Sequence, residues 1–326
     1  MDGGPRRRDD EARRAFLRQV RDFLAFPPAR TVRGSVRVPA SKSATNRALV
    51  LAAVGRDPVE LVGPLDSEDT RALVGCLEAM GAQIAASGRN LIVRGPLGRD
   101  RAREFVLDAR SSGTAARFLA ALAAAVPGRY RLTGSPRLQE RPMEELLAAL
   151  RSAGASIDCA EREGFLPLRI TGGVLESGTV EVDAGRSSQF LSALLLAAAV
   201  KGGLSVRARG PVVSAPYVET TIATLDAFGY VARPRSDGAI EVEQKRPRPS
   251  SYTIPGDWSS ALPLFAAVGI VGGRVEVTGL SWPSADADAR AVGALEAMGV
   301  SVERSNVSIV ASAGPSPRKP VSIVAG

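Results

Sequence analysis

The stretch VPASKSATNRALVLAAV, Val38 to Val54, joins a serine-rich polar tip carrying Lys42 and Arg47 to an Ala/Leu helix that is apolar almost all round. A helix of that kind is buried. Its N-terminus, with free backbone N–H groups and the positive end of the helix dipole, is suited to an anion. The lysine adds to this, because the chain uses arginine almost everywhere and its only lysines are Lys42, Lys201, Lys245 and Lys319.

Three further stretches repeat the pattern: SSGTAARFLAALAAAV from Ser111, SSQFLSALLLAAAV from Ser187 and DWSSALPLFAAVGIV from Asp257. A second helical signature follows each of the four and ends in a glycine stop: TRALVGCLEAMGA, EELLAALRSAGA, ETTIATLDAFGY and ARAVGALEAMGV. The stops are Gly81, Gly154, Gly229 and Gly299, at spacings of 73, 75 and 70 residues. Glycine just past a periodic apolar run is a helix C-terminus. Two short strand patterns around a turn come next, as in QIAASGRNLIVRG and VSVERSNVSIVAS. One repeat therefore reads strand, buried helix, strand, outer helix, strand, strand, and four copies fill the chain after residue 32. The fold class is α/β, and four polar tips can converge if the copies are arranged symmetrically.

Composition narrows the chemistry. The 326 residues are 45% apolar, enough for real cores in two domains or one large one. There is no histidine, so imidazole acid/base chemistry and His-based zinc sites or triads are improbable. Cys76 and Cys159 form no disulfide framework and no metal spacing, and both read as small buried hydrophobes. The formal charge is +8, of which half comes from residues 1–33, with nine arginines against five acids. No basic run is interleaved with aromatics, so a small anionic substrate suits the charge at least as well as nucleic acid. The segment EARRAFLRQVRDFLAF, residues 11–26, reads as an amphipathic helix with arginine on its wet face, and residues 1–31 as a basic helical extension. No stretch reads as a secretory signal or a membrane span.

Seven ordered motifs carry a resemblance. PASKSATNRAL, DSEDTRALVGCLEAMGA, SSGTAARFLAAL, LTGSPRLQERPMEELLAALRSAGA, VDAGRSSQFLSALLLAA, VSAPYVETTIATLDAFG and GDWSSA together resemble the 5-enolpyruvylshikimate-3-phosphate synthase (3-phosphoshikimate 1-carboxyvinyltransferase) family, from about Val32 to the C-terminus. The resemblance implies a two-domain inside-out α/β barrel of βαβαββ units, four of the usual six being present. It suggests a partial first domain at 32–55 plus 247–326 and a complete second domain at 56–246. The implied reaction moves the enolpyruvyl group of phosphoenolpyruvate to the 5-hydroxyl of shikimate 3-phosphate, a step of the shikimate pathway toward chorismate and the aromatic amino acids, with no metal or organic cofactor. The expected protein is cytoplasmic and monomeric, acts on those two small anions, and has neither nucleic acid nor membrane as partner. The sister transferase acting on a UDP-sugar is disfavoured by SKSATNR at the first tip and by the lack of a cysteine in SPRLQERP.

Carried over by motif, the resemblance places Lys42 against both substrates as the catalytic candidate. Shikimate 3-phosphate would be held by Lys42, Ser43, Arg47, Ser187, Ser188, Gln189, Ser214 and Tyr217, and phosphoenolpyruvate by Lys42, Ser111, Gly113, Thr114 and Arg141. Blander readings stand beside these. Any one serine could be an ordinary N-cap, Arg117 could be structural, and Asp69 with Arg71 reads as a charge pair on a solvated helix face. Three departures from the family pattern are expected to weaken contacts: Ser111 where an amide is usual, Trp258 at the fourth tip, and Asp286-Ala287-Asp288 after the strand that follows it. The family pattern continues through two more repeats carrying its main acid/base groups. The sequence therefore reads as a shortened form, expected to be inactive or impaired, with a non-catalytic shikimate 3-phosphate-binding protein as the alternative and Asp257 and Asp286 as reserve acids.

Overall fold

The computed structural model describes residues 29–314, so residues 1–28, most of the expected helical extension, lie outside the described residues. The first copy of the repeat comprises β1 (Val32–Arg37), α1 (Lys42–Val54), β2 (Val59–Val62), α2 (Glu68–Ala79), β3 (Gln83–Ser87) and β4 (Asn90–Arg94). The second has β5 (Glu104–Asp108), α3 (Gly113–Ala125), β6 (Gly128–Thr133), a single turn α4 (Pro136–Gln139), α5 (Glu144–Ser152), β7 (Ser156–Cys159) and β8 (Leu168–Gly172). The third has β9 (Gly178–Asp183), α6 (Ser188–Lys201), β10 (Leu204–Arg209), α7 (Pro216–Ala227), β11 (Tyr230–Pro234) and β12 (Ile240–Gln244). The fourth has β13 (Ser251–Thr253), α8 (Trp258–Val271), β14 (Gly273–Thr278), a 3₁₀ turn (Ala287–Arg290) leading into α9 (Ala291–Ala297), β15 (Ser301–Arg304) and β16 (Ser308–Ala313). All four glycine stops have positive φ, from +85° to +121°, which an L side chain rarely adopts. At Gly229 a Cβ would also lie 2.4 Å from the Arg246 carbonyl oxygen.

The repeat is βαβαββ in sequence, and four such units stand in space, but they are not the same four. Each forms a four-stranded sheet in the order first, second, fourth, third, with the first pair parallel and the rest antiparallel. In the second and third copies all four strands are consecutive. The first and fourth copies exchange their leading strands: β1 pairs in parallel with β14, from Val32 opposite Gly273 to Arg37 opposite Thr278. In return β13 pairs with β2, Ser251 opposite Glu60 and Thr253 opposite Val62. The two crossing segments run side by side, where Ser41 N–H donates to Pro255 O (2.8 Å) and Asp257 N–H to Pro39 O (2.9 Å). Only glycine fits at 256, since a Cβ there would sit 2.5 Å from the Gly279 carbonyl oxygen.

Two apolar cores result. The larger is built around α1, α3 and α6, whose residues are buried on nearly every face, including Leu49, Leu51, Leu119 and Leu194. Ala and Leu at almost all positions let three helices pack together without a polar face to hydrate. The smaller joins Val38, Trp258, Phe265, Val268, Val277, Val292 and Ile309. The break expected at 55/56 falls between α1 and β2, which belong to the same larger core, and β13, beyond the break expected at 246/247, joins that core's sheet.

Candidate active site at the helix tips

The serines at the tips first satisfy the helices they start. Ser41, Ser112 and Ser187 are N-caps of α1, α3 and α6, their hydroxyls accepting from Ala44, Ala115 and Gln189 N–H at 3.2–3.3 Å. Each cap takes one of the free N–H groups of its first turn and leaves others for a ligand. Ser187 is therefore a cap as well as a candidate phosphate ligand. Ser188, at the first helical position, is buried.

The tips of α3 and α6 meet. Gln189 Nε2 donates to Thr114 Oγ1 at 3.2 Å, tying a residue expected on the shikimate 3-phosphate side to one expected on the phosphoenolpyruvate side. Two guanidiniums crowd the same tip. A Cβ placed on Gly113 would lie 2.4 Å from Arg141 Nη1 and 2.6 Å from Arg117 Nη1. Arg117 donates to the Gly113 carbonyl oxygen (2.8 Å) and rests over the Phe190 ring of α6, 5.7 Å from its centroid. Burial, then the like charge of Arg141, lowers the Arg117 pKa to about 10, with Glu145 partly offsetting both. Two cations beside a helix N-terminus suit an anion. Ser111 is exposed and donates to Ser135 Oγ at 3.2 Å, on the loop before α4.

Gly113→Ala tests this geometry. The added methyl must displace Arg141, the more mobile of the two because Arg117 is hydrogen-bonded in place. The expected result is an affinity for phosphoenolpyruvate lower by about tenfold or more, a charge-assisted contact being worth ~1.5–3 kcal/mol, while affinity for shikimate 3-phosphate changes less than about twofold. Equal losses for both ligands in calorimetry would show that the tip does not discriminate.

A second cluster lies where α1, α7 and the loop before α9 meet. Arg47 is buried and donates from Nε to Thr221 Oγ1 (2.7 Å), from Nη1 to Ser43 O (3.0 Å) and from Nη2 to Tyr217 O (3.1 Å). Thr221 Oγ1 is also 2.9 Å from Ser192 Oγ of α6, and the guanidinium lies over the Phe118 ring of α3, 5.3 Å from its centroid. One arginine on α1 thus touches α7 and α3 and reaches α6 through Thr221. Desolvation lowers its pKa to about 10, partly offset by Tyr217 and Asp286. Tyr217 is pushed up by burial and then by Asp288, Asp286 and Asp257, against the pull of Arg47. The acids belong to the smaller core's side, which is fastened to α7 by Thr220 Oγ1 donating to Ala285 O (3.2 Å) and by the Arg290–Glu219 ion pair (2.6 Å). Ser214, exposed and at φ +56°, precedes α7 on a loop held to the α6 side by Val213 N–H donating to Ala184 O (3.2 Å).

Asp286 has a raised pKa, chiefly through desolvation and then through Asp288 and Asp257, with its contact to Asp288 N–H opposing. An acid whose folded pKa lies above its unfolded one holds its proton longer in the folded state. Its charge costs stability at pH values above the raised pKa and nothing below the unfolded value. Asp286→Asn, which keeps an acceptor for Asp288 N–H, is thus expected to raise the unfolding midpoint at neutral pH, the gain vanishing below the ordinary carboxylate range. A gain that persists at low pH would assign the effect elsewhere.

Three expectations change. Asp69 does not pair with Arg71: Arg71 forks onto Asp66 (2.5 and 2.8 Å), and Asp69 holds Lys42 Nζ at 2.8 Å. Half the Lys42 side chain is exposed, and a pair this wet is worth only ~0–1 kcal/mol, so an anion can displace the carboxylate. Trp258 does not obstruct its tip, being buried in the smaller core at 6.0 Å and 6.4 Å between centroids from Trp282 and Phe265. Cys159 is only half-buried, whereas Cys76 is enclosed, with burial pushing its thiol to about 12. Sequence reasoning missed Ser192, Thr221 and the pairing of Asp69 with Lys42. The first two had a legible signal, a hydroxyl four residues past a residue already under suspicion, as in SSQFLS and YVETT. A cavity of about 1250 Å³ opens elsewhere, beside the crossing segments and α2, lined by Val38, Leu49, Leu65, Val74, Leu91 and Ile254, and takes in none of the candidate residues.

A family profile described as EPSP synthase (3-phosphoshikimate 1-carboxyvinyltransferase) matches residues 27–325. The chain belongs to the EPSP synthase family. A 3-phosphoshikimate 1-carboxyvinyltransferase of Vibrio atlanticus is 37% identical over 301 residues, covering 90% of this chain and 70% of the relative. One from Klebsiella pneumoniae is 40% identical over 289 residues, covering 86% and 67%. The solved EPSP synthase from Acinetobacter baumannii superposes with a TM-score of 0.69 at 25% identity, over 86% of this chain and 65% of that one. The chain thus spans about 70% of the length of the Vibrio relative and 65% of the solved structure.

Proposed function

We propose that this chain acts on shikimate 3-phosphate and phosphoenolpyruvate, transferring the enolpyruvyl group of the second to the 5-hydroxyl of the first. The observation that supports the reading is the hydrogen bond between Gln189 and Thr114, which ties the α3 tip, with Gly113, Arg117 and Arg141, to the α6 tip. Two anions bound there lie next to each other, as a group transfer between them requires. Lys42, Ser43, Ser187, Ser188, Ser214 and Tyr217 complete the shikimate 3-phosphate side, and Ser111 borders the phosphoenolpyruvate side. Membership of the EPSP synthase family supports the assignment. The same reading makes the protein a cytoplasmic monomer using small molecules alone. Among the described residues no helix is long and apolar enough to cross a membrane.

Lys42→Met tests the assignment. Losing one charge-assisted contact costs ~1.5–3 kcal/mol, so affinities for both ligands are expected to fall by roughly ten- to a hundredfold with circular dichroism unchanged. Unaltered affinity in calorimetry would refute the role of Lys42. Phosphate release from phosphoenolpyruvate that requires shikimate 3-phosphate reports the transfer itself. Tight shikimate 3-phosphate binding without release would return the chain to the reading as a non-catalytic binding protein.

A further inference from the structure

Arg186 directly precedes Ser187, the cap of α6, and its side chain is 57% exposed. Its Nε lies 3.1 Å from Glu145 Oε1, on the first turn of α5. The contact is an ion pair without an aligned hydrogen bond, and the guanidinium donates no hydrogen bond to any of the described residues. Glu145 Oε2 is enclosed and has no hydrogen-bond partner among them either. The same carboxylate acts on Arg117 at the α3 tip, offsetting part of the lowering of its pKa by burial and by Arg141. One carboxylate thus stands between two guanidiniums, one beside each tip.

The loop that carries Arg186 is held on both sides. Gly185 N–H donates to Asp183 Oδ1 (2.8 Å), and Ala184 O accepts from Val213 N–H (3.2 Å), which brings the Ser214 loop alongside. All these residues belong to the second and third units, whose four strands are consecutive, and none belongs to the smaller core.

We propose that Arg186 is a further ligand for the phosphate of shikimate 3-phosphate, kept in place by Glu145 until that phosphate arrives, an inference that rests on the function proposed above. Ser187, Ser188, Gln189, Ser214 and Tyr217, the residues read as ligands around the α6 tip and the loop beside it, are all uncharged. A phosphate monoester carries about 1.5 to 2 negative charges at pH 7. Hydroxyls alone leave that charge unbalanced. A guanidinium fork meets phosphate oxygens through two parallel hydrogen bonds, a fit that the contact with Glu145 through Nε does not provide. A pair this exposed is weak, so little opposes the exchange. Arg186 then turns to the phosphate, and Glu145 keeps Arg117.

Calorimetry on the full chain and on Arg186→Gln and Glu145→Gln tests this, with shikimate 3-phosphate, phosphoenolpyruvate and inorganic phosphate as probes. Arg186→Gln is expected to lower shikimate 3-phosphate affinity about tenfold, as the loss of a charge-assisted contact does, and phosphoenolpyruvate affinity less than about twofold. Glu145→Gln keeps the length of the side chain and frees the fork, so it should raise shikimate 3-phosphate affinity about threefold. Opposite signs mark a carboxylate that competes with the ligand. A fall in both variants would make the pair a structural tether and overturn the proposal, as would shikimate 3-phosphate binding that is indifferent to Arg186→Gln. A wild-type chain that binds no shikimate 3-phosphate would sink the function proposed above, and inorganic phosphate then decides the role of Arg186. Phosphate binding that weakens about threefold or more in Arg186→Gln keeps Arg186 as a phosphate ligand; unchanged or absent phosphate binding removes it.

Discussion

Residues 56–246 produced alone are expected to give an unfolded or aggregated product, whereas residues 40–254 should unfold in one cooperative transition. The difference is α1 and β13. Ten of the thirteen residues of α1 are buried, among them Leu49, Val50 and Leu51 with no exposure at all. At roughly 1.5–3 kcal/mol for each large apolar side chain, removing the helix forfeits an amount comparable with the whole ~5–15 kcal/mol stability of a domain. Removing β13 also strips β2 of its parallel partner and leaves an open edge. The longer fragment keeps both elements, and with them the Arg47 bridge to Thr221 and Tyr217. Urea titrations followed by near-ultraviolet circular dichroism separate the two cases. A sharp sigmoidal transition for 56–246 would mean that the larger core does not depend on α1.

Arg47→Ala should cost about 2–4 kcal/mol of stability, as large-to-small changes in cores do, and Arg47→Met less than about 1.5 kcal/mol. Two opposed effects set this contrast. The guanidinium is buried with no carboxylate within ion-pairing distance among the described residues, so its desolvation is poorly compensated, as its lowered pKa of about 10 records. Its acceptors survive its loss, because Ser43 O and Tyr217 O also cap intrahelical bonds and Thr221 Oγ1 keeps Ser192. Methionine fills the volume and removes the desolvation cost, whereas alanine leaves a hole beneath Phe118. Both variants should weaken shikimate 3-phosphate binding by tenfold or more, since Arg47 fixes the backbone at Ser43 and Tyr217. If methionine binds as wild type does while alanine does not, packing rather than hydrogen bonding positions those residues. Chemical denaturation with calorimetry on both variants decides this.

The unit of this fold was legible because its signals are local. Glycine at 81, 154, 229 and 299 marks a left-handed residue that few other side chains tolerate, and the Ala/Leu helices announce their own burial. The resemblance joined β1 to the fourth copy through the split domain at 32–55 plus 247–326, but the return of β13 to β2 was not legible. β1 and β13 are both short strands leading into a polar tip, and a strand's neighbour is decided by partners far along the chain rather than by its own residues. At the tips, residue types were readable and directions were not. Trp258 occupies a tip position, but its ring turns to Trp282 and Phe265 and is buried in the smaller core. Lys42 and Asp69 lie on different helices, so their pairing is visible only once α1 and α2 are packed.

The exchanged strands also set a timetable for synthesis. β2 emerges roughly 190 residues before β13, and β1 about 240 before β14. At ~5–20 residues per second on the ribosome, the leading sheet of the larger core waits on the order of ten to forty seconds for its outer strand. The second and third units, whose strands are consecutive, can close in the meantime. Throughout that interval β2 offers an unpaired parallel edge. Nascent chains stalled before residue 250 should therefore be the ones that recruit chaperones, and release from them should follow the appearance of Ser251–Thr253.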